Sequence, residues 1–331
     1  MNTPTYTGWA CHRLTNLVLM FNQTKDHTAY AGFCVGLGER TPPHTFLRAT
    51  GEASIQAFFE RREQLLAEGL GQGSEREHSH GCQGCPAYKH QTWSLSEQIM
   101  AVNLSQYPSP CQSFCSYCDL RGRGLFAMTP TAHKQTTQCL DALDYALSQD
   151  LISPQAVWQL SCGEITIHPY RQRIYELIGT RTGYFFTNAF VFDSHIANNL
   201  VTNCHSRLNV SIDSGTAHSW HRVKGVDNFD TVLANLHRYR QHAIAHGQLV
   251  LKYILLLGQN TTPQDYAGVA ELMLALGVQT LIIARNQYEK PCDAPAVVAQ
   301  ARQLIQVLAQ HGLGYQLEFR FSKSERATIT A

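Results

Sequence analysis

Excess charge of either sign is missing from this sequence. Its 26 basic and 25 acidic residues leave a formal net charge of +1, so composition points neither to nucleic acid nor to a membrane surface as a partner. No apolar run approaches the roughly 20 residues that a membrane-spanning helix needs. The opening residues, MNTPTYTGWACHRLTN, have no charged segment followed by an apolar one. A signal peptide is therefore not expected, and the chain is expected in the cytoplasm. Without secretion, a disulfide framework is not expected either. Repeats and low-complexity tracts are also missing, apart from the polar GQGSEREHSHG at 71–81, which reads as a loop.

Cysteine, in contrast, is abundant: there are eleven. In a reduced compartment they read as metal ligands or buried residues. The sixteen histidines are scattered and read as surface or core residues. At 331 residues and 44% hydrophobic content, the chain suffices for one large α/β domain beside a smaller module.

Early on, TNLVLMFN and AYAGFCVGL read as two short strands. In GEASIQAFFERREQLLAEGL, Ile55, Phe58, Phe59, Leu65 and Leu66 share one face of an amphipathic helix. From about residue 99 the texture changes. Apolar runs (IMAVNL, AVWQLSC, GYFFTN, RLNVSID, LVLKYILLL, QTLIIA, YQLEFRF) alternate with helical patterns over 131–149, 170–179, 193–203, 228–244, 264–276 and 295–311. Such alternation predicts a covered parallel sheet. The expected fold class is α/β: a partial (β/α)6-type TIM barrel at 96–331, preceded by a small cysteine-rich α+β module at 1–95. Barrels of this kind carry their chemistry where the strands end.

After the first of these strands comes CQSFCSYCDL, with Cys111, Cys115 and Cys118 in one loop. Soft thiolates select zinc, copper(I) or iron–sulfur. Structural zinc takes four ligands and usually shows paired CxxC. A four-iron cluster held by three thiolates leaves one iron open to an outside ligand. The loop resembles the signature of the radical S-adenosylmethionine (SAM) superfamily, CxxxCxΦC with Φ aromatic, which Cys111, Cys115, Tyr117 and Cys118 match without departure. The resemblance spans about residues 99–290 and implies a [4Fe–4S] cluster whose open iron binds SAM. Reductive cleavage of SAM then gives a 5′-deoxyadenosyl radical that abstracts hydrogen from a substrate.

The same resemblance assigns further residues to SAM. SCGEITIHP looks like the family's GGE segment, with Cys162 in place of the first glycine, followed by Gly163 and Glu164. Asn188, Ser211 and Asp213 fall where the family places polar contacts to SAM, its ribose or the substrate. Arg285 ends the sixth strand of the series and is a candidate fork for the SAM carboxylate.

Cys11, Cys34, Cys82 and Cys85 precede the barrel, the last two as CxxC in HGCQGCPAY. Four thiolates form a closed set for a second [4Fe–4S] cluster or for zinc. Their flanks resemble an auxiliary-cluster (SPASM-type) module, which normally follows the barrel rather than leading it. Cys292, on a loop after the sixth strand, is a candidate hydrogen-atom donor to a substrate radical. Oxidation or cross-linking and epimerisation are thus competing outcomes. A peptide or a small metabolite is the expected substrate, and a flavodoxin or ferredoxin the expected reductant. The alternative class is a zinc-bound, non-catalytic scaffold or nucleic-acid-binding protein. Cys139 reads as core packing, and Cys204 as structural.

Overall fold

A computed structural model describes residues 4–23, 29–33, 44–46, 51–70, 87–104, 109–118, 124, 126–161 and 163–330. The chain divides into two compact units.

The first unit combines Met1–Pro110, Phe126–Gly163 and His168–Gly183. Strand β1 (Thr5–Ala10) and the short helix α1 (His12–Thr15) lead into β2 (Val18–Gln23), β3 (Ala29–Gly32) and β4 (His44–Phe46). Then follow helix α2 (Gly51–Gly69), strands β5 (Lys89–Ser94) and β6 (Ile99–Leu104), α3 (Pro130–Ser148), β7 (Ile152–Leu160) and α4 (Arg171–Ile178). β6 runs parallel to β7 and to β2, while β3 and β4 continue from β2 in antiparallel sense. β1 and β5 form a separate antiparallel ribbon, closed by Trp93 Nε1 donating to the Gly8 carbonyl at 3.2 Å.

The expected helix over 51–69 is present, and Ile55, Phe58, Leu65 and Leu66 are buried while Phe59 is half-buried. Phe58 stacks on Phe33 with ring centroids 4.4 Å apart. Arg62, on the same helix, is buried and ties loops together by donating to the carbonyls of Leu14 (3.3 Å) and Ser96 (2.9 Å).

Within the first unit, strand pairing runs across the expected division at residue 95. β2 pairs in parallel with β6 from Val18↔Ala101 to Phe21↔Leu104. The cause is visible in its residues: Leu19, Met20 and Phe21 are consecutive and all buried, the pattern of a strand covered on both faces.

The second unit combines Cys111–Leu125, Glu164–Ile167 and Tyr184–Ala331. It contains β8 (Thr182–Thr187, from Tyr184 on), α5 (Ser194–Thr202), β9 (Arg207–Ser211), α6 (Ala217–Lys224), α7 (Phe229–His242) and β10 (Leu249–Leu255). After these come α8 (Pro263–Leu276), β11 (Thr280–Arg285), α9 (Ala294–Gln310), β12 (Gly314–Leu317) and α10 (Lys323–Thr330). Strands β8 to β12 pair in parallel in sequence order. Leu208, Val210, Leu251, Tyr253, Leu281 and Ile283 are all fully buried and form the sheet side of the core.

The fold class is α/β, that of a partial TIM barrel. Among the described residues no helix is long and apolar enough to cross a membrane.

Candidate active site

The cysteine loop is fixed to the end of α6. Phe114 N donates to the Lys224 carbonyl and Ser116 N to the Val223 carbonyl, both at 2.8 Å. Ser116 Oγ donates to Gln259 Oε1 in the turn after β10 (2.6 Å). Thr216 caps the start of α6 through Ser219 N, and Gly225 ends it with φ of 67°. A Cβ on Gly225 would lie 2.7 Å from that of Phe114, so only glycine lets the loop lie this close. In the first unit, Gly163 has φ of 48°, and a Cβ there would lie 2.7 Å from the Ser109 and Pro110 carbonyl oxygens. The last glycine of the CGE segment is thus required by close approach.

Cys111, Cys115 and Cys118 are half-buried and not disulfide-bonded. Burial pushes the Cys111 thiol up to about 11; the Ser113 N–H opposes this, while Glu164, Cys115 and Cys118 add to it. Between the first two, both amide atoms of Gln112 are buried and have no hydrogen-bond partner among the described residues. A buried unpaired amide costs free energy that a bound group can recover. Among the described residues no group of three His, Cys, Asp or Glu is placed to hold a single metal ion. A four-iron cluster takes each thiolate on a different iron, so it calls for wider sulfur spacing than one ion does. Three soft donors, no disulfide and an orphaned amide fit such a cluster.

The aromatic of the motif has a partner that sequence reasoning missed. Tyr117 donates to Asp213 Oδ2 (2.8 Å) and accepts from Lys224 Nζ (3.0 Å). Lys224 Nζ also pairs with Asp213 Oδ2 at 2.5 Å. Lys224 is 1% exposed and Asp213 0%. Burial alone would depress the Lys224 ammonium, but the Asp213 carboxylate, aided by Cys115 and Cys111, raises its pKa overall. Burial, with Asp213, also raises the Tyr117 phenol. Asp213 has positive φ (45°) and is held there by Ile254 N donating to Oδ1 (2.7 Å) and Asn260 Nδ2 to its carbonyl (2.7 Å). The one sequence signal for Lys224 was its place four residues after Trp220, which puts both on one helix face.

Several residues expected at SAM have protein contacts of their own. The Asp213 carboxylate is enclosed and engaged at both oxygens. Arg285 pairs with Glu289 (2.5 Å) and with Glu325 of α10 (2.7 Å). Glu164 is 1% exposed; it accepts from Thr187 Oγ1 (2.7 Å), Thr166 Oγ1 (2.8 Å) and Asn188 N (2.7 Å). Burial raises the Glu164 pKa, and these hydrogen bonds oppose the rise. Glu164 is therefore a brace across the ends of two chain segments.

Asn188 is brought to the cysteine loop, its Nδ2 4.0 Å from Cys111 Sγ. Ser211 ends β9, opposite Lys252 of β10. Cys292 is exposed in a short turn, its Sγ 3.7 Å from Asp293 Oδ1. Cys11 is half-buried and precedes α1 as its N-cap residue. Cys34, Cys82, Cys85 and Cys162 lie outside the described residues. Cys139 is buried in α3, and Cys204 is exposed.

No protein-family model matches the chain, and neither does any curated protein. Among solved structures, it is similar to Streptococcus suis SuiB bound to S-adenosylmethionine. That match has a TM-score of 0.50 at 12% identity, covering 70% of this chain and 55% of SuiB. The fold is that of the radical SAM enzymes. SuiB bound to its precursor peptide SuiA aligns with a TM-score of 0.48 at 14% identity, covering 68% of this chain and 49% of that one. A radical SAM methyltransferase from Sphaerobacter thermophilus aligns with a TM-score of 0.45 at 16% identity, covering 63% of each chain. The chain spans about half the length of SuiB. In this radical SAM fold, the cysteine loop after β6 is the element that the sequence signature had singled out.

Proposed function

We propose that the chain is a radical SAM enzyme acting on a peptide or a small metabolite. Cys111, Cys115 and Cys118 would hold a [4Fe–4S] cluster, with SAM at the open iron. On one-electron reduction this pair supplies a 5′-deoxyadenosyl radical that abstracts a hydrogen atom from the substrate. The observation that carries the reading is the loop itself: three half-buried thiols outside any disulfide, pinned by Phe114 and Ser116 to α6, around a Gln112 amide with no hydrogen-bond partner among the described residues.

The other residues position and enclose. The Lys224 ammonium places a buried positive charge beside Cys115 and Cys111, offsetting the negative charge of the thiolates. Glu164 anchors the backbone N–H of Asn188, and with it the turn that carries the Asn188 amide to Cys111. Asn188 and Ser211 remain the side chains proposed to bind SAM or substrate, together with the backbone of Cys162 and Gly163. Cys11, Cys34, Cys82 and Cys85 are proposed to hold a second cluster or zinc, and a flavodoxin or ferredoxin to deliver the electron.

Anaerobic reconstitution with iron and sulfide, followed by SAM and dithionite, is expected to yield 5′-deoxyadenosine. Zinc without iron in anaerobically purified protein, or full iron without that product, would refute the reading. Cys292→Ala then separates the outcomes: unchanged turnover excludes epimerisation by this thiol and leaves oxidation or cross-linking.

A further inference from the structure

The second cysteine of the loop has polar neighbours that ligation alone does not require. Ser113 is 3% exposed, and its Oγ lies 2.9 Å from Cys115 Sγ. Either atom can donate while Cys115 is a thiol. A thiolate bound to iron can only accept, so the Ser113 hydroxyl must then be the donor. The same hydroxyl lies 3.5 Å from the Lys224 carbonyl, so its position follows the end of α6. The Lys224 ammonium is itself fixed by Asp213 at 2.5 Å and Tyr117, one residue before Cys118, at 3.0 Å. Hydrogen bonds to ligand sulfurs and nearby charge are among the quantities that set an iron–sulfur potential. In a buried setting such interactions are screened less than in water.

We propose that Ser113 and the buried Lys224 tune the cluster through Cys115, raising its reduction potential above that of the same loop without them. Both are positioning residues here, since neither is required to touch substrate. The inference rests on the radical SAM reading above. It adds to that reading a function for two side chains other than the three cysteines. A donor to sulfur stabilises the more negative, reduced state, so its removal makes reduction harder.

The test is a redox titration of the full chain, reconstituted anaerobically and followed by electron paramagnetic resonance. Ser113→Ala is expected to titrate at a more negative potential than the unsubstituted protein, with equal iron and sulfide. Ser113→Thr, which keeps a hydroxyl, is expected to stay closer to the unsubstituted value. Equal midpoints for Ser113→Ala and the unsubstituted protein would overturn the inference while leaving the cluster in place. Loss of the cluster in Ser113→Ala would also overturn it, because the hydroxyl would then secure the ligand rather than tune it. Failure of the unsubstituted protein to take up iron would instead defeat the functional reading on which the inference depends.

Discussion

A single buried ammonium shows how much of this site is decided side chain by side chain. Lys224 and Asp213 are both enclosed and within 2.5 Å of each other. Removing one partner of such a pair strands the other charge, which typically costs about 3–5 kcal/mol. Lys224→Met should lower unfolding stability in urea by that order, and Lys224→Met/Asp213→Asn should recover part of it, because no buried charge is then left over. The Lys224 pKa is raised in the fold, so its contribution is complete below the ordinary lysine value of 10.5 and fades as pH rises through the raised one. A second buried group acts at the acid end. Burial, with His133 nearby, lowers His168 to about 4 from 6.5. The unfolded chain then binds the proton first, so stability falls as pH drops from 6.5 toward 4, by up to about 1.4 kcal/mol per unit. Urea midpoints measured between pH 7 and 4.5 should show this slope, and His168→Gln should flatten it. The sequence marked Asp213, Glu164 and Arg285 as polar residues at strand ends, but not what they touch. Apart from Lys224, Thr166 and Glu289, their partners lie far along the chain (Asp213 meets Ile254 and Asn260; Glu164 meets Thr187 and Asn188; Arg285 meets Glu325), and spacing carries no record of such meetings.

At the scale of elements, the parallel strands were legible because their runs are mostly apolar, as in LVLKYIL, where alternate residues are fully or nearly fully buried and the rest, Lys252 among them, half-buried. The same texture in Val18–Gln23 went unconnected to β6 because a parallel partner can lie any distance away in sequence. Helices α6 and α10 span eight residues each, too short for a firm periodic signal. Yet α6 is the element on which the cysteine loop hangs, so its end should be sensitive. Gly225 and Gly277 both close helices in the left-handed region, with φ of 67° and 63°. An added Cβ meets Phe114 at 2.7 Å at Gly225, but only the Arg240 side chain, at 3.7 Å, at Gly277. Gly277→Ala should therefore cost only the backbone penalty of about 1–2 kcal/mol and leave iron uptake unchanged. Gly225→Ala should cost more and also reduce iron bound per chain, since the loop must move. Thermal melts and iron assays on the two variants, side by side, distinguish a loop set by α6 from one that is merely near it.

For the molecule as a whole, the open question is how many metal centres eleven cysteines serve. Cys139 is packed in α3, and Cys204 and Cys292 are exposed. Three more are spent on the loop at 111–118, which leaves Cys162 and the proposed amino-terminal set of Cys11, Cys34, Cys82 and Cys85. In sequence, strand β2 separates Cys11 from Cys34, and it pairs in parallel with β6. If the four thiolates hold a second cluster, the full chain should bind about seven or eight irons with matching sulfide. Cys82→Ala/Cys85→Ala should then fall to about four, while Cys111→Ala/Cys115→Ala should keep the second set. If the set holds zinc, the unsubstituted chain should show about four irons and one zinc, and the Cys82→Ala/Cys85→Ala variant should lose the zinc alone. Equal iron and zinc in the unsubstituted chain and in that variant would show that these cysteines bind neither, and that the amino-terminal residues contribute strands and helices to the fold but no metal centre.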